Sequence, residues 1–363
     1  TDAALEFVGR SSLEALSRNS VSVGLYDDVA SVKHVSLGQS ADLVVVAPAT
    51  ANTIANIAHG FAPNLLGNVI LATAGQVVVA PAMHTEMWTN PATASNIGVL
   101  ASRGVAIVGP ASGALTGDDV GVGRMAEANE IVQASYAALE AQGRRDLVGK
   151  RILISGGGTR EPIDPVRYIG NRSSGRQAVA LARAAMSRGA SVTFVRGFVD
   201  VEIPVGAEVI DGLTAEEMLQ GMSRLAPQND IVIMAAAVAD YRVSDVSDEK
   251  LKKSDGSPRT LALVETTDIL SSLAQIPNRD FLLVGFAAET AVGDELEKLA
   301  TEKLARKGCD VLIANEVSWS KGITADTNDV LILSRSLIGD EATIGRASGD
   351  KLSVAHRILD SIV

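Results

Sequence analysis

Short β-branched runs recur along this chain, each separated from the next by a stretch long enough for a helix: DLVVVA at 42–47, QVVVA at 76–80, VAIV at 105–108 and RILIS at 151–155. Such runs lack the alternation of a half-exposed strand and fit strands buried on both faces, which occur almost only in parallel sheets covered by helices. The intervening stretches near 50–59, 91–103 and 126–142 read as helices, the last ending at Gly143. The rhythm continues with strands at 151–155, 191–195, 230–236, 281–286 and 310–314 and helices near 175–188, 214–226, 267–275 and 290–307. This alternation predicts an α/β fold of doubly wound, Rossmann-like three-layer sheets. A composition of 33 Gly and 3% aromatic residues suits layers packed by small aliphatic side chains.

At 363 residues the chain is longer than one core ordinarily supports. The polar stretch RRDLVGKR (144–151) divides the two rhythms, giving a domain at 1–143, a linker at 144–149 and a domain at 150–363. Thr1–Arg10 leads in without the opening strand and glycine turn expected of a parallel α/β domain, so the N-terminus reads as incomplete, with its first strand missing.

A net charge of -11 argues against a nucleic-acid partner, the short run Lys250-Leu251-Lys252-Lys253 being the one candidate basic patch. The single cysteine, Cys309, rules out an intrachain disulfide and a cysteine-built zinc site, and fits a reducing, cytoplasmic setting. No apolar run approaches the roughly 18 residues of a membrane span, and no signal peptide heads the chain.

In doubly wound sheets ligands collect beyond the carboxyl ends of the strands. Four segments stand there in the second half: SGGGTREPIDPVRYIGNRSSG (155–175), MAAAVADYRV (234–243), KLKK (250–253) and VGFAAET (284–290), followed by a helix with Lys303 and Lys307 one turn apart. The first begins like a dinucleotide loop, yet Pro162, Asp164, Pro165 and the cluster Gly170–Gly175 intervene before a helix starts. In the first half, APATANT (47–53) places hydroxyls and an amide at a helix start, PAMHTEMW (81–88) follows a strand, and GALTGDDVGVGRM (113–125) is long enough to fold over a site as a flap.

Taken in order, the first-half segments resemble the flavin-containing cysteine decarboxylases, specifically those acting on phosphopantothenoylcysteine, over about residues 1–135. That resemblance implies FMN against Phe7, Thr50, Ala51, Asn52, Thr53, Ala82 and Met83, and His34, in KHVSLGQS, as acid/base. The family reduces and protonates its enethiol intermediate with a flap cysteine; here Thr116 holds that position, and His84, in the turn that holds the substrate carboxylate, becomes the nearest candidate proton donor. A hydroxyl is a far weaker acid than a thiol.

The second half is similar to phosphopantothenate-cysteine ligases, from about residue 150 to the end, so that the whole chain resembles the bacterial, CTP-dependent bifunctional coenzyme A biosynthesis family. The resemblance implies a flavodoxin-like decarboxylase domain before a ligase domain. It places CTP against Gly156, Gly157, Gly158, Ala236, Ala237, Asp240, Lys250, Thr267, Asp268, Ile269, Phe286, Lys303 and Lys307, with Mg2+ held mainly by the nucleotide phosphates and its protein ligands unknown. Arg167, Asn171 and Ala236 fall to the phosphopantothenate side, Asn171 turning over the acyl intermediate and Lys250 stabilising charge on the α-phosphate. The implied partners are 4'-phosphopantothenate, L-cysteine and CTP, in a homo-oligomer of ligase dimers and decarboxylase trimers that multiply to a dodecamer.

Two alternatives remain at this stage. One keeps only the ligase, with the first domain an oligomerising flavin-binding scaffold. The other is a nicotinamide-dependent oxidoreductase using Gly156–Gly158; the loop spacing and TFVRG (193–197), which lacks the acidic residue such a site places after its second strand, argue against it.

Overall fold

The computed structural model describes residues 1–25, 32–117, 119–141, 143–252, 260–317, 326–335 and 343–363. Asp118 and Lys253 lie outside them. The chain divides into two compact units, Thr1–Arg144 and Arg145–Val363. No described helix is long and apolar enough to cross a membrane.

The first unit runs α1 (Asp2–Leu5), α2 (Arg10–Ser17), α3 (Lys33–Ser40), β1 (Leu43–Ala49), α4 (Ala51–His59), α5 (Leu65–Ala72), β2 (Gln76–Pro81), α6 (Thr85–Thr89), α7 (Pro91–Ser102), β3 (Ala106–Ile107), β4 (Ala111–Ala114), β5 (Val120–Arg124) and α8 (Ala128–Ala141). β1, β2 and β3 form a parallel sheet in that order. Alternate residues of β2 face opposite layers: Val79 packs with Val46, Ile54 and Leu100 beneath α4 and α7, and Val78 and Ala80 pack against Ile131 and Ala138 of α8. The period of two that sends neighbours to opposite faces makes every residue of such a strand apolar. β4 and β5 pair as a separate antiparallel hairpin.

The second unit continues with β6 (Arg151–Gly156), β7 (Arg160–Pro162), β8 (Tyr168–Gly170), α9 (Arg176–Ser187), β9 (Ser191–Arg196), β10 (Glu208–Asp211), α10 (Ala215–Leu225), β11 (Ile231–Met234), β12 (Tyr241–Val243), β13 (Leu263–Glu265), α11 (Ile269–Ala274), β14 (Leu282–Glu289), α12 (Gly293–Lys307), β15 (Val311–Glu316), β16 (Thr327–Ser334), β17 (Thr343–Asp350) and α13 (Lys351–Asp360). Its main sheet has the order β10-β9-β6-β11-β14-β15-β16-β17. The first six strands are parallel, in the order 3-2-1-4-5-6 of a doubly wound nucleotide fold, and the chain reverses its direction of travel between β6 and β11.

Ile152 and Ile154 of β6 face α9 and α13, whereas Leu153 faces the layer of α10, α11 and α12. Helix starts follow local chemistry: Thr214 and Glu217 form a capping box on α10, Asp268 caps α11 and Asp350 caps α13. Because Asp268 is the cap, the helix expected over 267–275 starts at Ile269. The sequence reading stops at the strand over 310–314; the structure adds antiparallel β16 and β17 and then α13. In β17 only Ala347 is buried, so this polar edge strand offers no apolar run to read.

Candidate functional site

The glycine loop after β6 does not turn into a helix. Gly158 bridges Phe198 on one side and Ala237 on the other: the Gly158 and Phe198 N–H groups donate to each other's carbonyls at 3.1 and 2.8 Å, and Ala237 N–H donates to Gly157 at 2.8 Å while Thr159 N–H donates to Ala237 at 3.2 Å. The β6–β11 ladder thus continues past both strands through Gly157–Thr159 and Ala237. The loop departs from a dinucleotide turn, which leads straight into its helix, and this counts against the nicotinamide reading. Gly157 sits at φ +87, where a Cβ would lie 2.5 Å from the Phe198 carbonyl oxygen, so only glycine follows this path without strain.

From here the chain makes an excursion, the β7–β8 hairpin, before α9 begins at Arg176. Arg160 of β7 lies over Tyr168 and Phe198, its guanidinium carbon 4.4 and 3.6 Å from the two ring centroids. Glu161 is buried and accepts the Ala215 N–H at 2.9 Å, joining the hairpin to the start of α10. α9 starts at Gly175 with no side-chain cap, and a Cβ on Gly175 would approach the Gly157 Cα to 3.3 Å. Uncapped N–H groups at a helix start beside a glycine turn suit an anion.

Asn171 and the 235–240 segment meet directly. The Asn171 amide donates to the Val238 carbonyl at 3.0 Å, and Thr159 Oγ1 accepts the Ala239 N–H at 2.9 Å. Ser155 Oγ accepts the Ala236 N–H at 3.3 Å. Ala236 and Ala237 are therefore small where backbone runs against backbone. Asp240 is exposed, and its carbonyl receives the Thr266 N–H at 2.9 Å, bringing the 265–269 segment alongside.

The loop between β7 and β8 reaches the lysine segment through a carboxylate that sequence reasoning missed. Asp164, whose side chain is fully buried, accepts the N–H groups of Val166 and Arg167, each at 2.8 Å, and of Leu251 at 3.1 Å. The Arg167 Nη1 stands 3.3 Å from it, and Arg167 Nη2 donates to the Leu251 carbonyl at 2.9 Å. Burial pushes the Asp164 carboxyl up, but the Val166, Leu251 and Arg167 N–H groups and the Arg167 charge together bring it below the usual range. Lys250 itself is exposed.

The remaining nucleotide-side expectations are placed unevenly. Lys303 pairs with Glu289 at 2.8 Å and Lys307 pairs with Asp268. Burial raises the Asp268 carboxyl, whereas hydrogen bonds from Lys307 and Ser271 lower it, and the lowering wins. Thr267 is exposed, but the Ile269 side chain is 2% exposed in the core, leaving only its backbone to face a ligand. Phe286 packs against the α9 and α13 layer. Cys309 is buried and its thiol is pushed up to about 11 by burial, so it is not a nucleophile at neutral pH. Among the described residues no group of three or more His, Cys, Asp or Glu is arranged to hold a metal ion.

In the first unit, Thr50 ends β1 and caps α4, its hydroxyl accepting the Thr53 N–H at 3.3 Å. Ala82 N–H donates to Ala49 at 3.0 Å, and Met83 N–H donates to Gly123 at 2.9 Å, so the turn after β2 lies between the start of α4 and the β4–β5 hairpin. Gly123 is forced by this contact, since a Cβ there would meet the Met83 carbonyl oxygen at 2.0 Å. His84 Nδ1 stands 3.4 Å from Asp119 at the hairpin tip, and Thr116 is exposed in the same tip. These contacts gather Thr50–Thr53, Ala82–His84 and the flap around small side chains, an arrangement that fits a flat ring system with a carbonyl-rich edge. His34 is half-buried on α3, which packs on α5, and Phe7 stands 90% exposed between α1 and α2. Among the described residues, no hydrogen bond or ion pair joins His34 or Phe7 to the Thr50–His84 cluster.

Comparison with known proteins follows the same division. Residues 1–140 match the Flavoprotein family model, and residues 147–363 match that of the DNA/pantothenate metabolism flavoprotein C-terminal domain. The coenzyme A biosynthesis bifunctional protein CoaBC of Mycobacterium bovis is 45% identical, over 100% of this chain and 88% of the relative. The protein of the same name from Escherichia coli K12 is 42% identical over 90% of this chain and 81% of the relative. The crystal structure of the DNA/pantothenate metabolism flavoprotein from Streptococcus pneumoniae superposes with a TM-score of 0.50 at 23% identity, covering 59% of this chain and 98% of that one, a likeness of fold.

Proposed function

Because this chain belongs to the family of bifunctional coenzyme A biosynthesis proteins, with a decarboxylase and a ligase in one polypeptide, we propose that its second unit joins L-cysteine to 4'-phosphopantothenate at the expense of CTP and that its first unit decarboxylates the product with FMN. The observation that supports the ligase reading is that Asn171 meets the 235–240 segment that follows β11, while the Lys250 segment is held by the loop between β7 and β8, in the same excursion that follows β6.

A carboxylate resists an amine nucleophile because its own charge repels it, so activation comes first. The phosphopantothenate carboxylate attacks the α-phosphorus of CTP, forming an acyl-cytidylate and releasing pyrophosphate. The cysteine amine then displaces CMP, its proton passing to solvent. Lys250 neutralises charge that develops at the α-phosphate, and the uncapped start of α9 beside Gly157 offers N–H donors to a phosphate. Lys303 and Lys307 exchange their carboxylate partners for the triphosphate, and Mg2+ enters with the nucleotide. Asn171, oriented by Val238, serves the second half-reaction.

In the first unit, Thr50 to Thr53, Ala82 and Met83 hold the flavin, and His34 moves the thiol proton. Bound FMN supplies an electron acceptor at the substrate thiol, so that the electrons of the departing carboxylate have somewhere to go. Thr116 orients the flap, and His84, held toward Asp119, would supply the proton as the enethiol is reduced, the two electrons taken from the thiol returning from bound FMN so that the decarboxylation is redox-neutral overall.

Full-length protein given phosphopantothenate, cysteine and CTP is expected to release pyrophosphate and CMP, and FMN-loaded protein is expected to release carbon dioxide from phosphopantothenoylcysteine. Absence of carbon dioxide with normal CMP release leaves the ligase-only alternative standing. Thr116→Cys is expected to raise steady-state phosphopantetheine formation about tenfold or more, since a better-placed acid speeds proton transfer, with single-turnover carbon dioxide release unchanged. Equal product rates in the two proteins would contradict the assignment of Thr116.

A further inference from the structure

We propose that Asp164 and Arg167 form a side-chain clamp on the peptide at Leu251 and that this clamp positions the neighbouring Lys250; the proposal rests on the CTP-dependent reading above. The two side chains grip both backbone groups of one residue. Asp164 Oδ2 accepts the Leu251 N–H at 3.1 Å, Arg167 Nη2 donates to the Leu251 carbonyl at 2.9 Å, and Arg167 Nη1 closes the triangle on Asp164 at 3.3 Å.

The segment that carries Lys250 needs such a hold. It follows the end of β12 at Val243, and its described residues, 244–252, lie in no helix or strand. At its base the Ser244 N–H donates to the Ala262 carbonyl at 3.0 Å; nearer Lys250 the Ser247 N–H donates to the Ile163 carbonyl at 3.0 Å and the Ser247 hydroxyl to the Glu249 carbonyl at 2.7 Å. Both the Ile163 anchor and the clamp tie it to the 163–167 loop. A lysine on a free loop contributes little to transition-state charge, because electrostatic stabilisation depends on a group already in place.

The choice of a carboxylate at 164 points the same way. The turn through Val166 and Arg167 needs only one acceptor oxygen, which asparagine supplies at no cost in buried charge. A fully buried carboxylate is expensive unless every lone pair is used. Here the second oxygen reaches across the gap to the Leu251 N–H and is met from its own loop by Arg167, which itself reaches the Leu251 carbonyl. Arg167, expected from the sequence to hold substrate, spends both terminal nitrogens on this contact and is on this reading a positioning residue.

Asp164→Asn separates the two halves of the contact. Oδ1 keeps the turn, while an amide nitrogen at the second position faces two donors and drops the clamp. The test reads amide hydrogen exchange and burst-phase pyrophosphate release in wild type, Asp164→Asn, Lys250→Gln and the double variant. In Asp164→Asn, exchange at Leu251 is expected to speed up by about tenfold or more, the loss of a hydrogen bond to a charged group, with Val166 and Arg167 changed by less than about threefold. Pyrophosphate release is expected to fall by at least about tenfold in Asp164→Asn, but by less than about twofold when the same change is added to Lys250→Gln, because Asp164 acts through that lysine.

Normal pyrophosphate release by Lys250→Gln would overturn the nucleotide role of Lys250, whatever Asp164 does. Loss in Lys250→Gln with normal release in Asp164→Asn would overturn the clamp alone, as would additive losses or exchange gains spread equally over Val166, Arg167 and Leu251. Unprotected exchange of the Leu251 amide in the wild-type protein would overturn the clamp even if Asp164→Asn fails to fold.

Discussion

Asn171→Asp is expected to keep pyrophosphate release within about threefold of wild type, because the first half-reaction does not use this amide, while CMP release slows by on the order of 10²–10³-fold, the scale of losing one preorganised donor. The Asn171 amide nitrogen donates to the Val238 carbonyl at 3.0 Å, which fixes which way the side chain points. Its oxygen is left to accept from the incoming cysteine amine. Aspartate reverses both relations, placing an anionic oxygen against the Val238 carbonyl and a negative charge beside an acyl group that must be approached by a nucleophile. The acyl-cytidylate should therefore accumulate, and quenching a reaction run with radiolabelled CTP should recover it at nearly one equivalent per site. Rapid CMP release by this variant would contradict the role. Equal loss of both half-reactions would instead make Asn171 a fastener between its loop and the 235–240 segment.

The sequence makes the sheet legible because buried parallel strands announce themselves: β6, β9, β11, β14 and β15 all lie on expected runs, with ends displaced by no more than three residues, β11 being shorter than expected and the others running further at their carboxyl ends. The carboxyl-end rule then picks out Gly156–Gly158 and Ala236–Ala237, which do sit where the sheet changes direction. Other features are invisible to local pattern. β17 carries one buried residue, Ala347, and so has no period to find. Asp164 and Leu251 are 87 positions apart, and nothing near either residue signals the partner, because a buried carboxylate in a proline-flanked turn looks the same whether its second oxygen meets water or a distant N–H. The pairing of Lys307 with Asp268 was equally hidden, although both residues stood on the nucleotide side by resemblance. Ile269 shows the opposite failure: it came in with the motif around it, yet its side chain belongs to the core beneath α11.

Arg188→Ala is expected to destabilise the second unit by about 4 kcal/mol, in the range for stranding the partners of a buried charge, and to lower its melting midpoint by roughly 8–16 °C for a unit of this size. Arg188 is 1% exposed and joins parts of the unit that are far apart in the chain. Its guanidinium meets Asp146 through Nε and Nη2 and Asp360 through Nη1, the latter at 2.7 Å. Nη1 also reaches the His356 carbonyl at 3.3 Å, and the Arg188 carbonyl accepts the Leu147 N–H at 3.2 Å. One residue after α9 thus holds the first turns of the unit and its last helix, α13. Alanine leaves a cavity and takes the guanidinium away from both carboxylates. Because Asp146 and Asp360 are 38% and 41% exposed, water recovers part of their solvation, so Asp146→Asn or Asp360→Asn alone should cost no more than about 1–2 kcal/mol. Arg188→Met, which keeps most of the volume but not the charge, should fall between. Thermal unfolding followed with limited proteolysis of α13 reads all four variants. A shift under about 2 °C for Arg188→Ala, or a shift under about 2 °C for Arg188→Met beside a large one for Arg188→Ala, would show that solvent or packing volume, rather than the three-way bridge, holds the ends of this unit together.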